Sequence, residues 1–201
     1  DTVLGADDVA GLVSILEALT VIREQELPHP DIEVLFAVAE ELGIKDLSKI
    51  IISINIGYEV YNRVAAAAQP GLVHRGFHST GTAGAVACGA AAAGLMGLDS
   101  DGIYNSMAIA AVQASGLLII TESGQACKVL NPANAARAGI IAAKLTKAGI
   151  NGPDNPLQSS KGWFAAMTDR IDEVQITAGL GRDFTICDSY LKPYPSCRHT
   201  H

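Results

Sequence analysis

With 201 residues and a net charge of −7, the chain lacks the basic stripe a nucleic-acid binder needs, yet it is long enough to bury a core in one large domain or two small ones. Apolar residues make up 49% and aromatics only 5%, so that core is built of Ala, Gly, Val, Ile and Leu, which suits closely approaching helices rather than an aromatic-rich sandwich. The charge is uneven: residues 1–47 hold 11 Asp/Glu against Arg23 and Lys45, whereas 48–201 hold 10 acids against 12 bases, an asymmetry that points to two pieces of different history.

The chain opens on DTVLGADDVAG, where Asp7 or Asp8 can cap a helix and both favour the positive end of its dipole. Val9, Leu12, Val13, Leu16, Leu19 and Ile22 recur at helical spacing, which predicts an amphipathic helix over 8–25 that Pro28 and Pro30 stop. The run IEVLFAV at 32–38 reads as a short strand, with Glu40 and Glu41 directly after it. From about Asp46 the character changes. Residues 47–68 are helix-length and end at the turn signal Gln69, Pro70, Gly71. A Gly/Ala helix follows over 80–96. Its Gly81, Gly84, Gly89 and Gly94 each cost about 1 kcal/mol of helix propensity against Ala, tolerable where neighbours must approach closely. Asp99 is placed to cap the next helix, which runs to about 114, and 116–130 is a loop. Asn131 and Pro132 form an N-cap and first-turn pair opening a helix through 147, which Gly149 ends. Residues 151–162 read as loop, 163–167 as a short helical turn, and 174–178 and 184–190 as short strands.

The stretches 81–98 and 103–120 lack charge for 18 positions each, which touches the transmembrane threshold. The first is mostly Ala and Gly, and the second holds Asn105, Ser106, Gln113 and Ser115, so both read as buried helices rather than membrane spans. Cys88, Cys127, Cys187 and Cys197 form no CxxC pair, and no signal-peptide pattern opens the chain; reduced thiols in a cytoplasmic protein are expected.

Beyond residue 70 the chemistry-bearing side chains are His74, Arg75, His78, Lys128, Lys192, Arg198, His199 and His201, gathered in the loops RGFHSTGT, SGQACKVLNP and YLKPYPSCRHTH. Lys128 is the first Lys or Arg after Arg75. A cationic pocket from three loops would suit a substrate with several carboxylates, because Lys and Arg pair with carboxylates and His moves protons near neutral pH. Each residue also has a plainer reading: His78 as a capping or core histidine, Lys128 and Lys192 as solvated lysines, Cys88 as packing.

Two resemblances bear on these residues. GADDVAG (5–11) and AEELG (39–43) resemble the dinuclear zinc core of peptidase T-like metallopeptidases. That resemblance implies Asp7 as a bridging ligand, Glu40 as general base and Glu41 as a second ligand. Val9 stands where Lys is usual, and the segment supplies two ligands where zinc needs three or four; an acidic cap and a solvated Glu pair explain the same residues. Residues 46–201 resemble the MmgE/PrpD family, which includes 2-methylcitrate dehydratase and cis-aconitate decarboxylase. GYEV (57–60), RGFHSTGTAGA (75–85), GLDSDGI (97–103), AVQASGL (111–117), AARAG (135–139) and YLKPYPSCRHTH (190–201) carry it in order.

The second resemblance implies a mainly α fold, the helical bundle of that family's first domain, here partial: an Asp- and His-bearing segment is expected upstream and a lid domain downstream. It divides the chain into a helix–strand segment over 1–45 and a helical domain over 46–201. It further implies a di- or tricarboxylic acid substrate, no metal or other cofactor, and a homodimer with neither nucleic acid nor membrane as partner. Position by position, His78, Lys128 and Lys192 match catalytic residues, and Ser79, Arg198 and His199 match the substrate pocket. Lys128 and Lys192 would bind and polarise carboxylates, and His78 would orient the substrate or relay a proton. Ser79 stands where Pro is usual, Asn131 where His is common and Asn134 where Trp is common. Three functions follow: a cofactor-free lyase, a zinc peptidase, or a non-catalytic fusion or truncation product.

Overall fold

The computed structural model describes residues 24–25, 47–122 and 126–188. The chain divides into two compact units, Asp1–Leu47 and Ser48–His201, and the described fold belongs almost wholly to the second. Of the helix expected over 8–25 only residues 24–25 are described, Glu24 as helix and Gln25 as a turn, and the strand over 32–38, with Asp7, Glu40 and Glu41, lies outside the described residues.

The fold is a helical bundle. Its helices are α1 (Leu47–Ala67), α2 (Gly71–His74), α3 (Ser79–Leu95), α4 (Ser100–Val112), α5 (Leu130–Lys147), α6 (Trp163–Met167) and α7 (Glu173–Thr177). Among the described residues there are also three 3-10 turns, Leu118–Thr121, Ala126–Val129 and Thr185–Asp188. None of these helices is long and apolar enough to cross a membrane.

α3 is the central helix, and its sequence says why. A helix with no charge on any face favours burial over contact with water; ten of its residues, from Gly81 to Ala93, are buried. It lies against both α4 and α5, which also touch each other. Two glycines permit the approach. A Cβ on Gly89 would sit 2.9 Å from Ala110 Cβ of α4, and one on Gly139 of α5 would sit 2.5 Å from Cys88 Cβ. Ser106, fully buried on α4, ties the first contact by donating to Gly89 O at 2.7 Å.

The caps act largely as the residues predict. Asp99 Oδ1 accepts from Gly102 N at 2.9 Å and opens α4. α5 ends with Gly149 at φ +89°: Gly149 N donates to Thr146 O at 2.8 Å and Ile150 N to Leu145 O at 3.0 Å, which satisfies carbonyls the helix leaves open. At the other end of α5 the expectation fails. The helix begins at Leu130, no side chain caps it, and Asn131 is turned to another partner described below.

A second core seals the C-terminal half of α1. Leu72, Val86 and Phe164 are fully buried there with Val64 and Met167, and Trp163 meets Phe164 edge-on at 5.2 Å. The strands expected after it do not form. Residues 174–178 fall largely in α7, which Asp172 caps by accepting from Val174 N at 3.2 Å, and 185–188 are a 3-10 turn. The reason is Arg63 of α1, only 7% exposed: its guanidinium donates to Ile176 O, Ala178 O and Asp183 O at 3.2, 2.8 and 3.2 Å. Those carbonyls find their partner in a side chain, so no neighbouring strand is needed. Among the described residues the sole β pairing is the isolated antiparallel bridge Phe77–Leu117.

Candidate functional site

That bridge locates the site. It laces the loop before α3 to the loop after α4: His78 N donates to Gly116 O at 2.9 Å and Leu118 N to Gly76 O at 2.7 Å. Gly81 lets the second loop lie across the start of α3, since a Cβ there would be 2.5 Å from Ser115 O.

His78 occupies the N-cap position of α3 with an extended backbone, φ −90° and ψ 115°. Its side chain does not cap the helix. Nδ1 lies 3.0 Å from Asn131 Nδ2, and Nε2 lies 3.4 Å from Thr80 Oγ1. Asn131 Nδ2 also reaches Leu117 O at 3.4 Å, a partner only an amide N–H can serve, so the same nitrogen donates to His78 Nδ1. The imidazole therefore carries its proton on Nε2. Burial, and next the charge of Lys128, push the His78 pKa below the ordinary histidine value, which keeps the ring neutral at pH 7.

Asn131 belongs to the first turn of α5, so the N-termini of two long helices meet at this histidine. Each such end carries unsatisfied N–H groups and about half a positive charge. Lys128 stands exposed on the 3-10 turn just before α5 and adds a full charge. Ser79 is half-buried, its Oγ 3.2 Å from the hydroxyl of Tyr61 on α1. The arrangement is neutral at the imidazole and positive around it, a setting suited to anions.

The structure thus gathers His78, Ser79 and Lys128 in one neighbourhood. Lys192, Arg198, His199 and His201 lie outside the described residues. His74 ends α2 on the surface, and Arg75 pairs with Asp169 at 3.6 Å where both side chains are exposed, so neither joins His78. Sequence reasoning missed Asn131 and Tyr61 as neighbours of the site. Asn before Pro looks like a helix cap, and nothing in a linear sequence says its amide will bond a histidine 53 positions earlier.

Comparison with known proteins places the chain in a family. The MmgE/PrpD N-terminal domain matches residues 23–174. The cis-aconitate decarboxylase-like protein oryM of Aspergillus oryzae is 30% identical over 150 residues, 71% of this chain and 31% of that protein. Shorter matches run to the uncharacterized protein YqjE of Bacillus subtilis, 42% identical over 60 residues (28% of this chain, 16% of that protein). Peptidase T of Escherichia coli K12 is 50% identical over 42 residues, 21% of this chain and 10% of that enzyme. The chain thus spans about a third of the length of the first of these relatives and far less of the others. With the helical bundle and a family match over most of its residues, the chain belongs to the MmgE/PrpD family.

Proposed function

We propose that the chain carries the carboxylate-binding wall of an MmgE/PrpD-type lyase, one that dehydrates or decarboxylates a di- or tricarboxylic acid resembling 2-methylcitrate or cis-aconitate. The observation that carries this reading is the neutral His78 held by Asn131 between two helix N-termini beside Lys128. Removal of an α-proton before hydroxide departs, or loss of CO2, leaves an electron pair that spreads onto a carboxylate as enolate-like charge; departure of hydroxide then turns that pair into the new double bond. Positive groups already in place stabilise that charge without reorganising. Lys128 and the helix ends supply them here. His78 has its Nδ1 lone pair engaged by Asn131, so its Nε2–H serves as a donor that orients a substrate oxygen rather than as a base.

By family resemblance Lys192 polarises a second carboxylate, and Ser79, Arg198 and His199 complete the pocket. A cytoplasmic homodimer is part of the same proposal. The test is incubation of the chain with 2-methylcitrate and with cis-aconitate, followed by proton NMR. Product is expected from one of them and is lost in Lys128→Ala. No consumption of either, together with unchanged ligand binding in Lys128→Ala, would sink the lyase reading. The peptidase T match favours a second reading for residues 1–45; stoichiometric zinc that disappears in Asp7→Ala would support it.

A further inference from the structure

Three hydroxyl side chains follow His78 at the start of α3, and their bonding singles one of them out. Thr82 is fully buried and donates to His78 O at 3.1 Å. Ser79 Oγ lies 3.2 Å from the Tyr61 hydroxyl, so each has the other as partner. Thr80, in the first turn of α3, has no such use. Its side chain is half-buried and borders open space between α1, α3 and α5. Among the described residues its one hydrogen-bonding neighbour is His78 Nε2, 3.4 Å away.

That distance is beyond the usual span of an N–H···O bond, about 2.7–3.2 Å, so neither group is used up by the other. The other side of the ring fixes where the protons are. Asn131 Nδ2 donates to His78 Nδ1 at 3.0 Å, which leaves the ring proton on Nε2. Toward Nε2–H the Thr80 oxygen can only accept, and its own proton is free to point away from the ring. Two donors 3.4 Å apart can both reach a single oxygen, because a triangle with two sides of about 2.8 Å closes over that base with both bonds at ordinary length.

We propose that Thr80 is a substrate-contacting residue: its hydroxyl and His78 Nε2–H together hold one oxygen of the carboxylate on which enolate-like charge develops. The inference rests on the carboxylate-site reading above and adds to it a second neutral donor beside the imidazole. Donors fixed before the charge appears stabilise it without reorganising, as in an oxyanion hole. The sequence TGT does not separate Thr80 from Thr82; only the buried bond of Thr82 to the His78 carbonyl does.

The test titrates the full chain with propane-1,2,3-tricarboxylate, an acid with no hydroxyl to lose, by calorimetry, while 15N NMR follows the His78 ring. The acid should bind the unsubstituted chain and shift the Nε2 resonance. Thr80→Val removes the hydroxyl, keeps the shape and should weaken binding about tenfold, the usual worth of a hydrogen bond to a charged group. Thr80→Ser, which restores the hydroxyl, should bind as the unsubstituted chain does. Thr80→Ala, a better helix former, should repeat the loss, which then cannot come from a weakened helix. Undiminished binding by Thr80→Val and Thr80→Ala, or a loss in Thr80→Ser as large as in Thr80→Val, overturns the role of Thr80. The carboxylate reading then stands on weaker binding by Lys128→Ala. Binding without an Nε2 shift puts the acid elsewhere and overturns the two-donor hold. No binding by the unsubstituted chain removes the carboxylate reading and Thr80 with it.

Discussion

Arg63→Ala tests how the C-terminal part of the described fold is held. Arg63 is 7% exposed and Glu59, one helical turn before it, 16%, and their Nε–Oε2 distance is 2.8 Å. The guanidinium also serves the carbonyls of Ile176, Ala178 and Asp183, while Glu59 accepts from Thr185 N and, at 2.8 Å, from Thr185 Oγ1. One turn of α1 thus holds both α7 and the Thr185–Asp188 turn. Removing one partner of a buried pair leaves the other charge and its hydrogen-bonded groups uncompensated, which costs about 3–5 kcal/mol. Against a usual total of about 5–15 kcal/mol, that is a large share. Urea unfolding followed by far-ultraviolet circular dichroism reads the loss, and trypsin cleavage after Arg182 should accelerate as the segment leaves α1. A loss below about 1 kcal/mol with unchanged cleavage would refute the clamp. Its pH dependence has a definite sign. Burial tends to raise the Glu59 pKa, but the hydrogen bonds from Arg63 and Thr185 and the Arg63 charge outweigh it and hold the carboxyl below its ordinary value. The stabilisation is therefore complete at neutral pH and disappears as pH falls through that lowered value.

Three further outcomes are expected. Lys128→Ala removes a like charge from beside His78, so the midpoint of the His78 ring-proton titration should rise toward the ordinary histidine value by NMR; no change would deny Lys128 a place in the site. Gly139→Ala should destabilise by about 1–3 kcal/mol through overpacking, because its Cβ would fall 2.5 Å from Cys88 Cβ and 2.6 Å from Gly89 N. Gly84→Ala, whose Cβ would meet Ala135 at an ordinary 3.5 Å, should be neutral or stabilising, both glycine variants being read by the same urea unfolding.

The helical half of this protein is legible in its residues because the signals are local. α1 and α3 lie within a residue or so of their expected bounds, α6 matches, Asp99 caps α4, and Gly149 closes α5. A charge-free run rich in Gly and Ala can be stable only where other helices cover it, so the central place of α3 was implied by its composition. The family was legible too, since its motifs recur in order along the chain. The apolar run at 174–178 shows the limit: alternation suggested a strand, yet Asp172 begins a helix and a distant arginine satisfies its last carbonyls.

The site divides along the same line. His78 and Lys128 are visible as types of residue in suggestive loops, but their protonation and reach depend on partners far away in sequence. Asn131 bonds His78 across 53 residues, Tyr61 meets Ser79 across 18, and Arg63 reaches Ala178 across 115. Hydrogen bonds of that span are created by the packing of helices, whose crossings depend on every glycine and alanine at their contacts. Sequence alone determined most of the described helices, the family and the cationic loops; only the tertiary structure decided that Asn131 lies against His78 Nδ1 and that Tyr61 meets Ser79.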